Sequence, residues 1–271
     1  MWTVYMFSIG SRKHGFTIVF NSHPQKKERK RRNKYMEKFI LRVTTVSNLF
    51  IGGNPTLFEI GGIDQQTITD SDQLPIIPAS TIKGVFRAYL HEIANDEIPA
   101  IKAIVSQYGE VMEAINKNNN KILAAKDGKV SLKIEKERID KLQKSMLSSL
   151  CQDITWLFGI QGYNRTPKLI FNDLLCLEKE AQHCFSVDTK NAILQEGTEI
   201  YANPRTYKTV RPKITFEGEI LCYRLIENGF KVEDIEACLQ LVVDACNEGL
   251  CRIGGSGSRG YGRVLMELKR G

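Results

Sequence analysis

The sequence of 271 residues contains no long hydrophobic run. A helix that crosses a bilayer needs roughly 18 or more consecutive apolar residues, whereas the longest apolar runs here, such as Leu157-Phe158-Gly159-Ile160, have the length of a core segment. Apolar residues make up 42% of the chain and charged residues 25%, a balance that excludes a wholly disordered protein. We therefore expect a soluble, cytoplasmic protein with a sizeable core and no membrane contact.

Paired cysteines and clustered histidines are also missing. The cysteines number seven, an odd count, and none are spaced as Cys-x-x-Cys, which argues against a disulfide framework or a structural zinc site. We expect most of them to be buried as small hydrophobic side chains. Of the four histidines, His14 and His23 lie in the N-terminal segment, and His91 and His183 lie outside every motif described below. A histidine-based nuclease is therefore not indicated.

The positive charge is confined to one end of the chain. Residues 1–35 contain nine basic side chains and one acidic one; subtracting these from the totals of 38 and 31 leaves 29 basic and 30 acidic side chains in residues 36–271. The net charge of +7 is thus no evidence that the body binds nucleic acid. Residues 1–35 are either a flexible basic arm that holds polyphosphate or an upstream extension of a protein that starts at Met36.

Hydrophobic periodicity predicts an α+β fold. Alternating or β-branched runs predict strands at 39–46, 168–171, 214–223 and 263–268. Apolar residues at three- and four-residue spacing predict a helix that follows an N-cap at Ser80 or Thr81, and a second helix over 232–248 that Gly249 ends. Residues 94–150 are predicted to be a helical insertion. This order favours helices packed on an antiparallel sheet.

The segment 254–263 (GGSGSRGYGR) is the most distinctive motif. Gly255, Gly257 and Gly260 match G-x-G-x-x-G, but a dinucleotide site needs a strand before the motif and a helix after it, and here the order is reversed. Clustered glycines let backbone N–H groups approach an anion, and the three side chains among them that suit phosphate contact or base stacking are Arg259, Tyr261 and Arg263. The alternative is a purely structural turn.

Two further segments have the composition of a phosphate-binding surface. In the segment 74–87, Lys83 and Arg87 share one face of the first helical turns, although a solvated helix face would explain them equally. The segment 203–213 (NPRTYKTVRPK) interleaves basic and aromatic residues, which suits a loop or hairpin along a nucleic-acid backbone. Its predicted contacts are Arg205, Lys208 and Arg211; a plain charged loop is the alternative.

In combination these motifs resemble the RAMP superfamily of CRISPR-associated proteins, and most of all the repeated backbone subunit of type III (Csm or Cmr) interference complexes. The matching segments, in chain order, are 50–53, 75–87, 157–159 and 254–264, with 60–64 (IGGID) pointing to the Csm type. The resemblance implies a ferredoxin-like or RRM-like domain over 36–271 with a thumb hairpin at about 187–213. The longer segment 88–156 and the N-terminal extension depart from the family pattern.

The resemblance also implies an activity. In that family, subunits bind the CRISPR guide RNA, copies of the subunit assemble into a filament with other subunits, and an Asp after the first strand cleaves the complementary target RNA; Asp64 matches it. The thumb hairpin kinks the duplex, so that a 2′-hydroxyl attacks the adjacent phosphate in line. Mg²⁺ or another divalent cation is the expected cofactor, with Asp64 as its candidate ligand.

Two alternatives to a catalytic subunit stay open. The first is that Asp64 only forms a turn, as an Asp after glycines commonly does, with Asp70 and Asp72 as competing carboxylates nearby. The chain would then be a non-catalytic RNA-binding scaffold of the same kind of complex. The second is a small-molecule nucleotide enzyme that uses the glycine-rich loop, and the context of the loop argues against it.

Overall fold

The computed structural model describes residues 37–53, 63–124, 153–160, 166–196 and 199–271. The N-terminal basic segment 1–35, residues 60–62 of the Csm-type motif and the second part of the predicted insertion lie outside these residues. Within them, no helix is long and apolar enough to cross a membrane.

The described residues form nine β-strands and three α-helices. In chain order they are β1 (Lys38–Thr45), β2 (Gln65–Gln66), β3 (Ile76–Ile77), α1 (Ala79–Glu92), α2 (Pro99–Ala124), β4 (Lys168–Phe171), β5 (Leu174–Cys176), β6 (Phe185–Glu196), β7 (Glu199–Val210), β8 (Thr215–Tyr223), α3 (Val232–Glu248) and β9 (Val264–Arg270). The predicted strands and the second helix are confirmed to within two residues at each end.

The main sheet has six strands in the order β3-β5-β8-β1-β9, with β4 also paired to β8, and every pair in it is antiparallel. Taken in chain order, β1, α1, the β4–β5 pair, β8, α3 and β9 form the β-α-β-β-α-β arrangement of ferredoxin-like folds. The α+β class predicted from the sequence is therefore confirmed.

The core lies between this sheet and the helices. Phe39, Leu41 and Val43 of β1 are fully buried on one face of the sheet, as the alternation in the sequence predicts. The opposite face contains paired charges: Lys38 Nζ lies 2.6 Å from Glu219, and Arg42 Nη2 lies 2.7 Å from Glu217. One face of the sheet is thus packed and the other is polar.

Helix α2 contributes to the same core. Tyr108 is 1% exposed, donates a hydrogen bond to the carbonyl of Pro167 at 2.9 Å, and makes edge contacts with the rings of Trp156 and Phe230. Ile101 and Ile104 on the same helix are also buried. The helical part of the predicted insertion, as far as Tyr108, is therefore integral to the fold.

The predicted cap of α1 is wrong. The helix begins at Ala79, after Pro78, and neither Ser80 nor Thr81 caps it. The backbone N–H of Ala79 instead donates to Asp173 Oδ1 at 2.7 Å. A residue from the β4–β5 connection therefore satisfies a free N–H of the first turn, which sequence spacing could not indicate.

Strands β6 and β7 form a long hairpin that stands apart from the main sheet. They pair antiparallel from Phe185–Val210 to Glu196–Glu199, and β2 adds to the free edge of β7 in parallel. A thumb hairpin is expected at about 187–213, and this hairpin occupies most of that range. Its action on RNA stays a prediction.

Candidate functional site

The glycine-rich loop packs against the segment that follows β1. Gly255 N–H donates to the carbonyl of Phe50 at 2.8 Å, and Gly262 N–H donates to that of Asn48 at 2.9 Å. Gly254 has φ +78°, and a Cβ there would lie 2.2 Å from the Phe50 carbonyl oxygen. This position requires glycine because two backbone segments touch. The expectation that the N–H groups of the loop gather around an anion is corrected for Gly255 and Gly262, whose N–H groups are used internally.

The tip of the loop faces solvent. A short 3₁₀ turn over Gly257–Arg259 leaves Arg259 exposed, and Gly260 at φ +90° has no heavy atom within 4 Å of a Cβ built on it. Arg259 makes no side-chain hydrogen bond or ion pair within the part of the chain that the structure describes. The tip therefore has open space beside a free guanidinium, as a phosphate contact requires.

Arg263 does not join this tip. Its backbone N–H donates to Ser47 Oγ at 3.0 Å, and its side chain reaches towards the end of α3, where a Cβ on Gly249 would lie 3.8 Å from its Nε. A cation at a helix C-terminus is favoured by the helix dipole. The structure thus separates Arg263 from Arg259.

Tyr261 connects the loop to the hairpin. Its hydroxyl donates a hydrogen bond to Asp188 Oδ2, which also accepts from Asn48 Nδ2 at 2.6 Å. Burial and the interaction with Asp188 raise the pKa of Tyr261 to about 12. One face of the ring is covered, because Lys190 Nζ lies 3.4 Å from its centroid. The expected base stacking on Tyr261 therefore has that face blocked in the free protein.

The basic residues of the hairpin do not line a single surface. The pairing register places Arg205 and Tyr207 across from Lys190 and Asp188, on the face that packs against the body. Lys208 points the other way and lies over the Phe185 ring at 4.3 Å. Strand alternation thus places Arg205 and Lys208 on opposite faces of the hairpin, and their contact with RNA stays a prediction.

Arg211 has a structural contact at the base of the hairpin. Its Nη2 and Nε donate to the carbonyl of Phe185 at 2.7 and 3.1 Å, although the residue remains exposed. Arg205, by contrast, is exposed and makes no side-chain contact of this kind within the described ranges. Of the predicted hairpin residues Arg205, Lys208 and Arg211, Arg205 is the one whose charged group has no described contact.

Asp64 is exposed and bound to the edge of the hairpin. The backbone N–H of Thr206 donates to its Oδ2 at 2.6 Å, and its own N–H donates to the carbonyl of Thr206 at 3.0 Å. Asp70 differs, because its Oδ1 accepts the N–H groups of Asp72 and Leu74 within a turn. The structure therefore attaches Asp64 to β7, one residue from Arg205, and leaves Asp70 as a turn residue.

Lys83 and Arg87 lie elsewhere, on α1. Lys83 is half-buried and Arg87 is exposed, and neither makes a hydrogen bond or ion pair through its side chain with another described residue. The same helix borders a groove of about 730 Å³ that faces the segment 250–254, and the helix residues that line it include Ser80, Gly84 and Ala88. Neither Lys83 nor Arg87 lines this groove.

Among the described residues, two buried cysteines are unsuited to nucleophilic chemistry. Burial raises the pKa of Cys222 and of Cys238 to about 12, which makes each a poor nucleophile. Four of the six described cysteines are buried, as expected. Within the described residues there is no cluster of three or more His, Cys, Asp or Glu side chains that could hold a metal ion.

Sequence reasoning missed Lys190 and Asn48. Both contact partners that are far away in the chain. Asn48 donates a hydrogen bond to Asp188, 140 residues later, and the Lys190 ammonium lies over the Tyr261 ring. No local pattern in the sequence marks either residue.

Comparisons with known proteins agree with this architecture. The chain is 26% identical over 239 residues to a Streptococcus thermophilus protein named CRISPR system Cms endoribonuclease Csm3, with 85% of this chain and 86% of that protein covered. A chain of the type III-B Cmr-beta complex bound to cognate target RNA, solved by cryo-electron microscopy, superimposes with a TM-score of 0.50 at 16% identity. That superposition covers 90% of this chain and 62% of the length of the other. At so low a sequence identity it shows the fold alone.

The sequence profile of the RAMP superfamily matches residues 42–265, from β1 to β9. The match includes the glycine-rich loop, the hairpin and Asp64, and it extends over more than half of the chain. This protein therefore belongs to the RAMP superfamily.

Proposed function

We propose that this chain is a guide-RNA-binding backbone subunit of a type III CRISPR interference complex, and that it cleaves the complementary target RNA. Its partners are then the guide RNA, the target RNA, further copies of itself in a filament and the other subunits of the complex, in the cytoplasm. Three findings support this proposal: membership of the family, the endoribonuclease name of the Streptococcus relative, and the target RNA bound in the Cmr-beta complex.

One observation carries the catalytic part. The carboxylate of Asp64 is exposed and is held against the hairpin by the 2.6 Å hydrogen bond from Thr206 N–H. The residue before Thr206 in β7 is the exposed Arg205. The Asp64 carboxylate is thus bound at the position next to Arg205 in the hairpin, the element that resemblance to the family assigns to distortion of the RNA duplex.

The reaction follows from positioning. A nucleotide displaced by the hairpin allows the 2′-hydroxyl to attack its own phosphate in line, which breaks the bond to the 5′-oxygen and leaves a cyclic phosphate and a 5′-hydroxyl. Asp64 can orient the attacking hydroxyl or accept its proton, and Arg205 can stabilise the charge that develops on the phosphate.

A divalent cation fits the donor chemistry of the site. Asp64 supplies a hard carboxylate oxygen, and Mg²⁺ is commonly bound by one or two carboxylates together with substrate phosphates and waters. Asp64 would hold the ion, and a bound cation would neutralise negative charge on the phosphate.

A scaffold without nuclease activity is the second candidate, and the same hydrogen bond favours it. Asp64 fastens the start of β2 to the hairpin, so its carboxylate has a structural use that is independent of catalysis. Catalysis needs the negative charge of the Asp64 carboxylate, whereas the scaffold needs only an oxygen that accepts the Thr206 N–H.

The test is cleavage of guide-matched RNA by the reconstituted complex, with Mg²⁺ and with chelator. Asp64→Asn keeps an oxygen that can accept the Thr206 N–H but removes the charge, whereas Asp64→Ala removes both. We expect regularly spaced fragments from the wild type that disappear with either variant and with chelator, while assembly on guide RNA survives in Asp64→Asn.

Asp72→Asn makes the same change of charge in the same region and serves as the comparison. Full cleavage by Asp64→Asn would contradict the catalytic assignment and leave the scaffold. Loss of cleavage in Asp72→Asn alone would move the assignment to that residue.

A further inference from the structure

The ammonium group of Lys190 is buried without a hydrogen-bond acceptor. Its Nζ has essentially no accessible surface and no partner among the described residues, which makes it the exception among the buried side-chain polar atoms there. The group lies 3.4 Å from the centroid of the Tyr261 ring and 5.3 Å from that of Tyr207. Aromatic faces attract a cation, but they leave its N–H donors unpaired.

The surroundings of Lys190 contain an excess of positive charge. Arg205 lies directly across from it in the register of β6 and β7, and like charges at such positions repel. Burial lowers the pKa of Lys190 below its ordinary value, the charge of Arg259 lowers it further, and Asp188 acts in the opposite direction. Two cations, Lys190 and Arg259, thus lie near a single carboxylate.

One oxygen of that carboxylate is already engaged. Oδ2 of Asp188 accepts hydrogen bonds from Tyr261, from Asn48 and, at 3.4 Å, from Thr209. Asp188 therefore holds the hairpin to the body and supplies Lys190 with charge but no hydrogen bond. A buried donor without a partner is costly, and such exceptions in native proteins indicate a ligand or another functional reason.

We propose that Lys190 and Arg259 together bind a phosphate of single-stranded RNA, between the hairpin and the tip of the glycine-rich loop. The site lies beside the open space at Gly260. Lysine has a flexible stem of four carbons, so its ammonium can leave the Tyr261 ring for a phosphate oxygen without movement of the hairpin. This assignment deepens the proposed function and rests on it for the identity of the RNA.

The proposal predicts opposite effects on the free protein and on the complex. Lys190→Met keeps the length of the side chain and a sulfur that packs well on aromatic rings, but it removes the unpaired charge. The free variant should melt at the same temperature as the wild type or higher. Its affinity for guide RNA should fall about tenfold, as expected for the loss of one charged hydrogen bond.

Salt dependence identifies the contact as ionic. In titrations of the full chain with fluorescein-labelled guide RNA at several KCl concentrations, Lys190→Met should reduce the slope of log affinity against log salt by about 0.7, the contribution of one phosphate. Lys190→Arg should keep the wild-type slope. Lys231→Met, at an exposed lysine at the start of α3, is the matched control and should not change it.

Inorganic phosphate provides a test that needs no RNA. Phosphate should raise the melting temperature of the wild type above that in chloride of equal ionic strength, and Lys190→Met should lose this increase. If the wild type fails to bind guide RNA but phosphate still stabilises it through Lys190, the proposed function fails and the anion site stands.

A different outcome would contradict the phosphate site and leave the proposed function intact. If guide RNA binds and Lys190→Met changes neither the salt slope nor the effect of phosphate, the anion site is absent. A lower melting temperature in Lys190→Met with an unchanged salt slope would then make Lys190 a structural contact on the two tyrosine rings.

Discussion

Glycine at position 262 is required by contact between two backbone segments. Gly262 has φ +74°, and a Cβ there would lie 2.0 Å from the carbonyl oxygen of Ile253. Gly260 has a similar φ of +90°, but a Cβ there meets nothing within 4 Å. The two positions separate the cost of the backbone conformation from the cost of a steric clash.

Gly262→Ala should therefore destabilise the fold by about 3 kcal/mol or more, because it adds a clash to a left-handed conformation. Gly260→Ala should cost only about 1 kcal/mol, from the conformation alone. Urea denaturation followed by circular dichroism measures both. Equal losses of unfolding free energy in the two variants would show that the backbone near Ile253 can move to accommodate the added Cβ at no cost.

Tyr261 should make stability depend on pH at the alkaline end. Its folded pKa of about 12 exceeds the ordinary value of 10.0, so the stabilisation that it provides is complete below about pH 10 and is lost as the pH rises through 12. Tyr261→Phe leaves Asp188 without this donor and should cost about 1 kcal/mol at pH 8. The difference from the wild type should shrink above pH 10.

The measurement is the free energy of unfolding of the two proteins across that range, in which the other tyrosines cancel. Tyr223→Phe is the comparison, since the hydroxyl of Tyr223 makes no hydrogen bond to another described residue, and it should cost nearly nothing at pH 8. A constant difference between wild type and Tyr261→Phe from pH 8 to 12 would contradict the assigned contact with Asp188.

Among the secondary-structure elements, α1 depends on a residue outside itself. Its first N–H is satisfied by Asp173 from the β4–β5 connection, and Pro78 precedes it without a side-chain cap. Lys83 and Arg87 lie on this same helix.

Asp173→Ala should cost about 1 kcal/mol, the usual value for removal of a helix cap. Asp173→Asn keeps an acceptor oxygen and should lose only a small part of that amount. Chemical denaturation of the full chain tests the difference. Equal destabilisation by the two variants would mean that the charge of Asp173 matters and the hydrogen bond does not.

Over the whole molecule, charge is paired on one surface and unpaired on another. The exposed face of the main sheet has its charges matched across strands, as in Lys38–Glu219 and Arg42–Glu217, and such exposed pairs add little stability. Arg205 and Arg259, near the hairpin and the loop tip, have no such partners among the described residues. A nearly neutral body can thus bind RNA through a local group of cations, which net charge could not indicate.

Much of the fold was predictable because its causes are local. Alternation along β1 and β8 and the apolar stripe of α3 follow from the periods of strand and helix, and Gly249 ends α3 with the φ of +85° that its position predicts. The candidate site was predictable only by motif. Motifs are what single out Arg259 and Asp64 as candidates, whereas the separation of Arg205 from Lys208 required the register of the hairpin.

Local sequence dictates the element types, the α+β class and the residues that lie in the glycine-rich loop, since these depend on neighbours along the chain. Packing dictates which side chains meet: Tyr261 with Asp188 over 73 residues, Ala79 with Asp173 over 94, and Thr206 with Asp64 over 142. Contacts of this kind depend on how helices, sheet and hairpin come together, and no local pattern encodes that arrangement. The unpaired ammonium of Lys190 belongs to the same class, because only the folded chain places two tyrosine rings around it.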